Sequence, residues 1–80
     1  MKFEELLDKA KQGDERAIAT LGGELSEFMV DDPIPIEEGD KDYGAGEAVL
    51  RELAEQGHAE AQHWVGRLIL FEREEAGKEL

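Results

Sequence analysis

Apolar side chains recur along this chain at helical spacing, in four blocks separated by glycine, proline and acidic residues. Phe3, Leu6, Leu7 and Ala10 form one stripe, which predicts a first helix over about residues 2–12. Gln12-Gly13 ends it, because glycine takes the left-handed conformation past a helix terminus at little steric cost. Asp14 follows at once and is the expected cap of the next helix, its side chain accepting from a free backbone N–H. That second helix is expected over about 15–30, with Ala17, Ile18, Leu21, Leu25, Phe28 and Met29 turned inward. So short a link predicts an antiparallel hairpin.

The period stops from Asp31 to Gly39, where DDPIPIEEG holds both prolines of the chain. Pro33 and Pro35 favour an extended path. A third helix is expected over about 43–56, capped by Asp42, with Ala45, Val49, Leu50, Leu53 and Ala54 inward. Gly57 then repeats the role of Gly13. The fourth helix, about 58–76, is expected to bury Ala61, Trp64, Val65, Leu68 and Phe71. The remainder, EREEAGKEL, is polar enough to face water and to end the structure. The pattern therefore predicts an all-α domain of two antiparallel helical hairpins, 2–30 and 43–76, with an acidic loop at 31–42 and a tail at 77–80.

The two hairpins are copies. Shifted by 44 residues, Leu6 falls on Leu50, Ala10 on Ala54, Gln12 on Gln56, Gly13 on Gly57, Ala17 on Ala61 and Gly22 on Gly66. Leu21 falls on Val65. A glycine inside a helix costs about 1 kcal/mol relative to alanine. Gly22 and Gly66 are therefore expected where a neighbouring helix comes too close for a side chain. A period of this length filled by two helices signals a short α-solenoid.

These residues resemble a known family. KDYGAGEAVLRELAEQGHAEAQ, Lys41 to Gln62, is similar to the Sel-one-like repeat (SLR), a relative of the tetratricopeptide repeat. Asp42-Tyr43, Ala54 to Gln62 and Val65-Gly66 carry the resemblance in the second copy. Gln12-Gly13-Asp14, Ala17 and Leu21-Gly22 carry it in the first. Between Gly22 and Asp42 the chain is about eight residues longer than the common repeat form, and the acidic Pro-Ile segment fills that length. Gly46 stands where the family commonly has alanine, and the usual glycine-rich turn after the second helix is missing. The resemblance implies an adaptor that presents a concave surface to other proteins and carries no chemistry.

Composition narrows the options. Eighty residues make one domain near the size where a single apolar core just suffices. Cysteine is absent, which suits a cytoplasmic setting and removes disulfides and thiolate metal sites. The N-terminus is charged and helix-periodic, unlike a signal peptide, and no apolar run has the length of a membrane helix. Acids outnumber bases 21 to 9, a net charge of −12. Such a surface repels nucleic acid and anionic lipid and attracts basic partners, though acids also serve plain solubility.

No chemistry emerges. His58 and His63 stand five positions apart and point roughly 140° from each other on a helix, so with Glu60 they make no shared metal site. Glu38, Asp40 and Asp42 alternate like calcium ligands, but the glycine and glutamate that an EF-hand loop requires are missing in either register. Thr20 and Ser26 are the only side-chain hydroxyl nucleophile candidates apart from the tyrosine, and neither sits in a glycine elbow. The chain reads as no enzyme, with neither cofactor nor metal.

The candidate contact residues are Asp31, Asp32, Ile34, Ile36, Glu37, Glu38, Asp40 and Trp64. Ile34 and Ile36 sit between prolines among acids. They are expected to fold back over the hairpins and leave an acidic rim around an apolar point, or else to stay outside as a contact patch. Trp64 reads as core, or as an anchor on the concave face. Two functions fit. One is a protein-interaction module whose concave face and acidic loop bind a partner with a basic surface. The alternative is an acidic decoy that mimics nucleic acid and blocks a basic site, as anti-defence proteins of bacteria or phages do; nine acids against one lysine from Glu24 to Glu47 motivate it. Because solenoids usually stack three or more repeats and this chain has two, a homodimer is a third expectation.

Overall fold

The computed structural model describes residues 1–78, with side chains for residues 1–70. It is all-helical: α1 (Phe3–Lys11), α2 (Glu15–Ser26), α3 (Tyr43–Glu55) and α4 (Ala59–Lys78), with no strand among the described residues. Two hairpins, α1–α2 and α3–α4, stack side by side. α1 packs on α2 and α3, and α2 also packs on α3 and α4, whereas α1 and α4 do not meet among the described residues. That pattern is a two-layer stack rather than a closed ring of four helices.

The two turns are built alike. Gly13 (φ +88°) and Gly57 (φ +90°) both take the left-handed region. In the first, Gly13 N–H donates to the Ala10 carbonyl at 2.9 Å and Asp14 N–H to the Lys9 carbonyl at 3.2 Å. In the second, Gly57 N–H donates to Ala54 at 3.0 Å and His58 N–H to Leu53 at 3.0 Å. Each pair is a Schellman closure, which satisfies two of the carbonyls a helix end leaves open. The caps differ. Asp14 Oδ1 accepts from Ala17 N–H at 3.1 Å and Asp42 Oδ1 from Ala45 N–H at 3.0 Å. His58 stands where Asp14 stands in the first copy, and its buried Nδ1 has no partner among the described residues.

Leu6, Ile18, Leu21 and Leu50 are fully buried at the centre, surrounded by Phe3, Ala17, Val49, Leu53, Ala61, Trp64 and Leu68. Each large side chain moved from water is worth about 1.5–3 kcal/mol, so this cluster supplies most of the stability of so small a domain. Phe71, expected in the core, and the tail EREEAGKEL lie outside the described side chains.

The glycine notch exists once. A Cβ on Gly22 would lie 2.3 Å from Trp64 Cδ2, so the indole of the second hairpin sits directly against α2. Gly66 does not repeat this: nothing described comes within 4 Å of a Cβ there. The helix that fills Gly22 belongs to the following hairpin, and no described helix follows Gly66. The second close approach is at Gly46 instead, where a Cβ would meet Leu21 Cδ1 at 2.9 Å. Glycine rather than alanine at that position lets α3 settle onto α2.

The second helix is shorter than its apolar pattern predicts. It stops at Ser26, and Glu27 turns left-handed (φ +62°). Two contacts explain the stop. Ser26 Oγ donates back to the Gly22 carbonyl at 2.7 Å. Gly23 leaves room for the returning chain, since a Cβ there would meet the Phe28 carbonyl oxygen at 2.9 Å and Val30 Cγ1 at 3.1 Å. Val30 thus takes the inward place, while Phe28 is 47 % and Met29 98 % exposed. Neither is the inward-facing helical residue the period implies.

Three expectations follow. Gly22→Ala should lower stability by roughly 1–3 kcal/mol through overpacking, outweighing alanine's helix propensity. Gly66→Ala should raise it by up to about 1 kcal/mol. Urea unfolding read by the single tryptophan measures both, and a shift of both midpoints in one direction would refute the assignment of the notch. His58→Asn, which gives α4 a capping side chain, should add about 1 kcal/mol; a lowered midpoint would show that the imidazole is needed where it is.

Candidate partner-binding surface

Arg16 and Thr20 stand one helical turn apart on α2 and together hold the inserted loop. Arg16 Nε donates to the Asp32 carbonyl at 2.9 Å, and its Nη2 reaches Asp32 Oδ1 at 3.2 Å and the Pro33 carbonyl at 3.3 Å. Thr20, itself buried, accepts from Ile34 N–H at 2.9 Å while donating to the Arg16 carbonyl at 2.8 Å. The proline-flanked stretch, whose amides have no helical partners, is thereby satisfied from α2. The chain start holds its other side: the Met1 ammonium donates to the Pro35 carbonyl at 3.1 Å, and Glu37 N–H to the Met1 carbonyl at 2.8 Å. Lys41 Nζ closes the loop on Glu24 Oε2 at 3.3 Å.

Ile34 and Ile36 fold back and pack against the core, half-buried. The acids around them stay outside: Asp31, Asp32, Glu37, Glu38 and Asp40 are all exposed. Only Asp32 among these five forms an ion pair with a described residue. The five carboxylates fall in two places: Asp31 and Asp32 share a groove with Phe28 and Met29, whereas Glu37, Glu38 and Asp40 line a separate cavity with Lys2, Phe3 and Glu4.

Trp64 is 6 % exposed and belongs to the core, not to an exposed anchor. Its Nε1–H donates to Glu60 Oε1 at 3.0 Å, satisfying the polar edge that a buried indole carries. That edge faces a groove of about 500 Å³ between α2 and α4, walled by Arg16, Phe28, Met29, Asp31, Glu60 and Arg67, with Glu15, Asp32 and His63 nearby. Arg67 spans its floor, its Cζ 4.7 Å from the Phe28 ring centroid and 5.8 Å from that of Trp64. Arg67 Nε donates to His63 Nε2 at 2.9 Å, so His63 serves as an acceptor on the surface. No three His, Asp or Glu side chains converge as a metal set among the described residues.

Sequence reasoning passed over Phe28, Met29, Arg16 and Arg67. One signal was present: an apolar triplet, Phe28-Met29-Val30, runs straight into Asp31-Asp32 with no polar last turn to end a helix. Arg67 was visible only as a residue three after Trp64 and four after His63.

Thr20→Val keeps the volume but strands the Ile34 amide. It should cost roughly 1–3 kcal/mol and speed hydrogen exchange at Ile34. An unchanged Ile34 rate would show that the loop is fastened elsewhere.

No helix among the described residues is long and apolar enough to cross a membrane. Against known protein families, curated proteins and solved structures, the chain finds no match.

Proposed function

We propose that the chain is a protein-interaction module of the Sel-one-like repeat type, set in the cytoplasm. It takes a protein partner with an apolar and basic surface on the face formed by the exit of α2, the inserted loop and α4. The observation that carries this reading is the outward display of Phe28 and Met29 beside the exposed carboxylates of Asp31 and Asp32. An apolar point inside a polar rim is the usual anatomy of a binding patch. Methionine suits it further, because its flexible thioether adapts to a partner's shape. The matched glycine turns, the stacked hairpins and the residues shared with the family support the repeat reading.

The alternative, an acidic decoy for a nucleic-acid-binding site, is favoured by one observation: Asp31, Glu37, Glu38 and Asp40 are exposed and unpaired with any described cation. The two readings part on salt and on which side chains matter. With a partner captured from the native host and then purified, Phe28→Ser/Met29→Ser should weaken binding at least about tenfold, or about 1.4 kcal/mol. Its melting should stay near that of the parent, because both side chains lie outside the core. Raising salt from about 0.1 M to about 1 M, which shortens the screening length from ~10 to ~3 Å, should then weaken binding only modestly. Affinity that survives the apolar pair but collapses with salt, and with Asp31→Asn/Asp32→Asn/Glu37→Gln/Glu38→Gln, would establish the decoy instead.

A further inference from the structure

The floor of the groove already holds a guanidinium, and this identifies what else it can hold. Arg67 lies over Phe28 and Trp64, a geometry in which a cation is attracted to the ring faces. Its hydrogen bond goes to His63 Nε2, and no described carboxylate pairs with it. The carboxylates of the groove are nevertheless close by and largely unused. Glu60 accepts only the indole N–H, and Glu15 and Asp31 have no side-chain partner among the described residues. Arg16, on the facing wall, is already engaged by Asp32 and two carbonyls. Four carboxylates therefore line the groove against two guanidiniums, one of them committed elsewhere and the other seated on the rings without an acid.

We infer that this groove is a receptor for an arginine side chain of the partner, and that Arg67 occupies its aromatic floor until that side chain arrives. The inference rests on the interaction-module reading and names the chemistry of its partner. An incoming guanidinium gains what Arg67 does not have, a ring-stacked position together with Glu60 and Asp31 as charge-assisted acceptors. Arg67 in turn moves outward into water, where a strongly acidic protein welcomes it. Arginine is favoured over lysine because its plane stacks on the rings while its fork still meets carboxylates. An anionic occupant would have to face four carboxylates to reach one free cation. The volume, about 500 Å³, accommodates a side chain and its neighbours rather than a folded domain.

The single tryptophan makes the test direct, since its indole N–H bonds to Glu60 at the groove wall. Three acetylated, amidated tetrapeptides serve as probes: Leu-Arg-Leu-Arg, the same with lysine and the same with glutamate. The arginine peptide should move the Trp64 indole resonance and change its fluorescence at millimolar concentration, the lysine peptide less, the glutamate peptide not at all. Arg67→Gln should bind the arginine peptide about three- to fivefold more tightly, because the floor is vacated. Glu60→Gln, which can still accept the indole N–H, and Asp31→Asn should each weaken it. An indole response to glutamate that vanishes in Arg67→Gln would overturn the inference in favour of an anion site. Silence of the indole toward all three peptides, or an unaltered or weaker affinity in Arg67→Gln, would overturn it as well. Met29→Ser separates the two levels. If it abolishes binding of the captured partner while the peptides fail, the module stands and its occupant is different. If the arginine peptide binds while Met29→Ser leaves the partner untouched, the module reading falls and the groove stands.

Discussion

The indole of Trp64 against the backbone of α2 at Gly22 is the contact on which the rest of the structure depends. It seats an indole of the second hairpin directly on the first, where even a methyl group would not fit. Removing an aromatic from such a position typically costs about 3–5 kcal/mol. A whole domain of this class holds about 5–15 kcal/mol, so one contact carries a large share of the total. With no disulfide and only eighty residues from which to build a core, the stack has little to replace it. Gly46 serves the same end from the other side, bringing α3 onto Leu21.

The groove follows from that contact. Because the ring leans on α2, its polar edge turns out to Glu60 and its neighbour Arg67 is carried over Phe28. Phe28 is there to be covered because α2 ends two residues earlier, at Ser26. The same helix divides its labour by face: Gly22 receives the tryptophan, while Arg16 and Thr20 clamp the loop. A substitution that loosened the notch would therefore disturb the groove as well as the core. On the proposed reading, stability and recognition share one helix.

Much of this was legible from residues alone. Gly13 and Gly57 announced left-handed turns, Asp14 and Asp42 announced caps, and the 3.6-residue period announced four helices and most of the core. The misreadings share a cause: periodicity records which residues are apolar, not which of two competing partners wins. Phe28 and Met29 continued the stripe of α2, but Val30 folded onto Gly23 and displaced them. Gly66 matched Gly22 in register, yet a notch needs a helix to fill it, and that helix is a property of the neighbouring repeat. Arg67 stood out by nothing but its spacing from His63 and Trp64 on α4, because Phe28, which it covers, lies past the end of α2 at no fixed separation in sequence. His58 stands in register with Asp14, yet its ring Nδ1 finds no partner among the described residues.

A net charge of −12 on this chain raises the question of what the acids accomplish beyond solubility. Distributed charge is screened within about 8–10 Å at physiological salt, so most of these carboxylates act only on their own surroundings. Those at the groove stand beside the rings of Phe28 and Trp64, and Glu60 among them is half-buried. On the proposed reading, affinity would come from Phe28, Met29 and the ring floor, while Asp31 and Glu60 would decide the sign of what enters. An acidic peptide of equal hydrophobicity would be rejected by the same carboxylates that orient a basic one, which is specificity by repulsion as much as by attraction. On an unfastened loop, Asp31 and Asp32 would only attract; held to α2 through Arg16 and Thr20, they would discriminate.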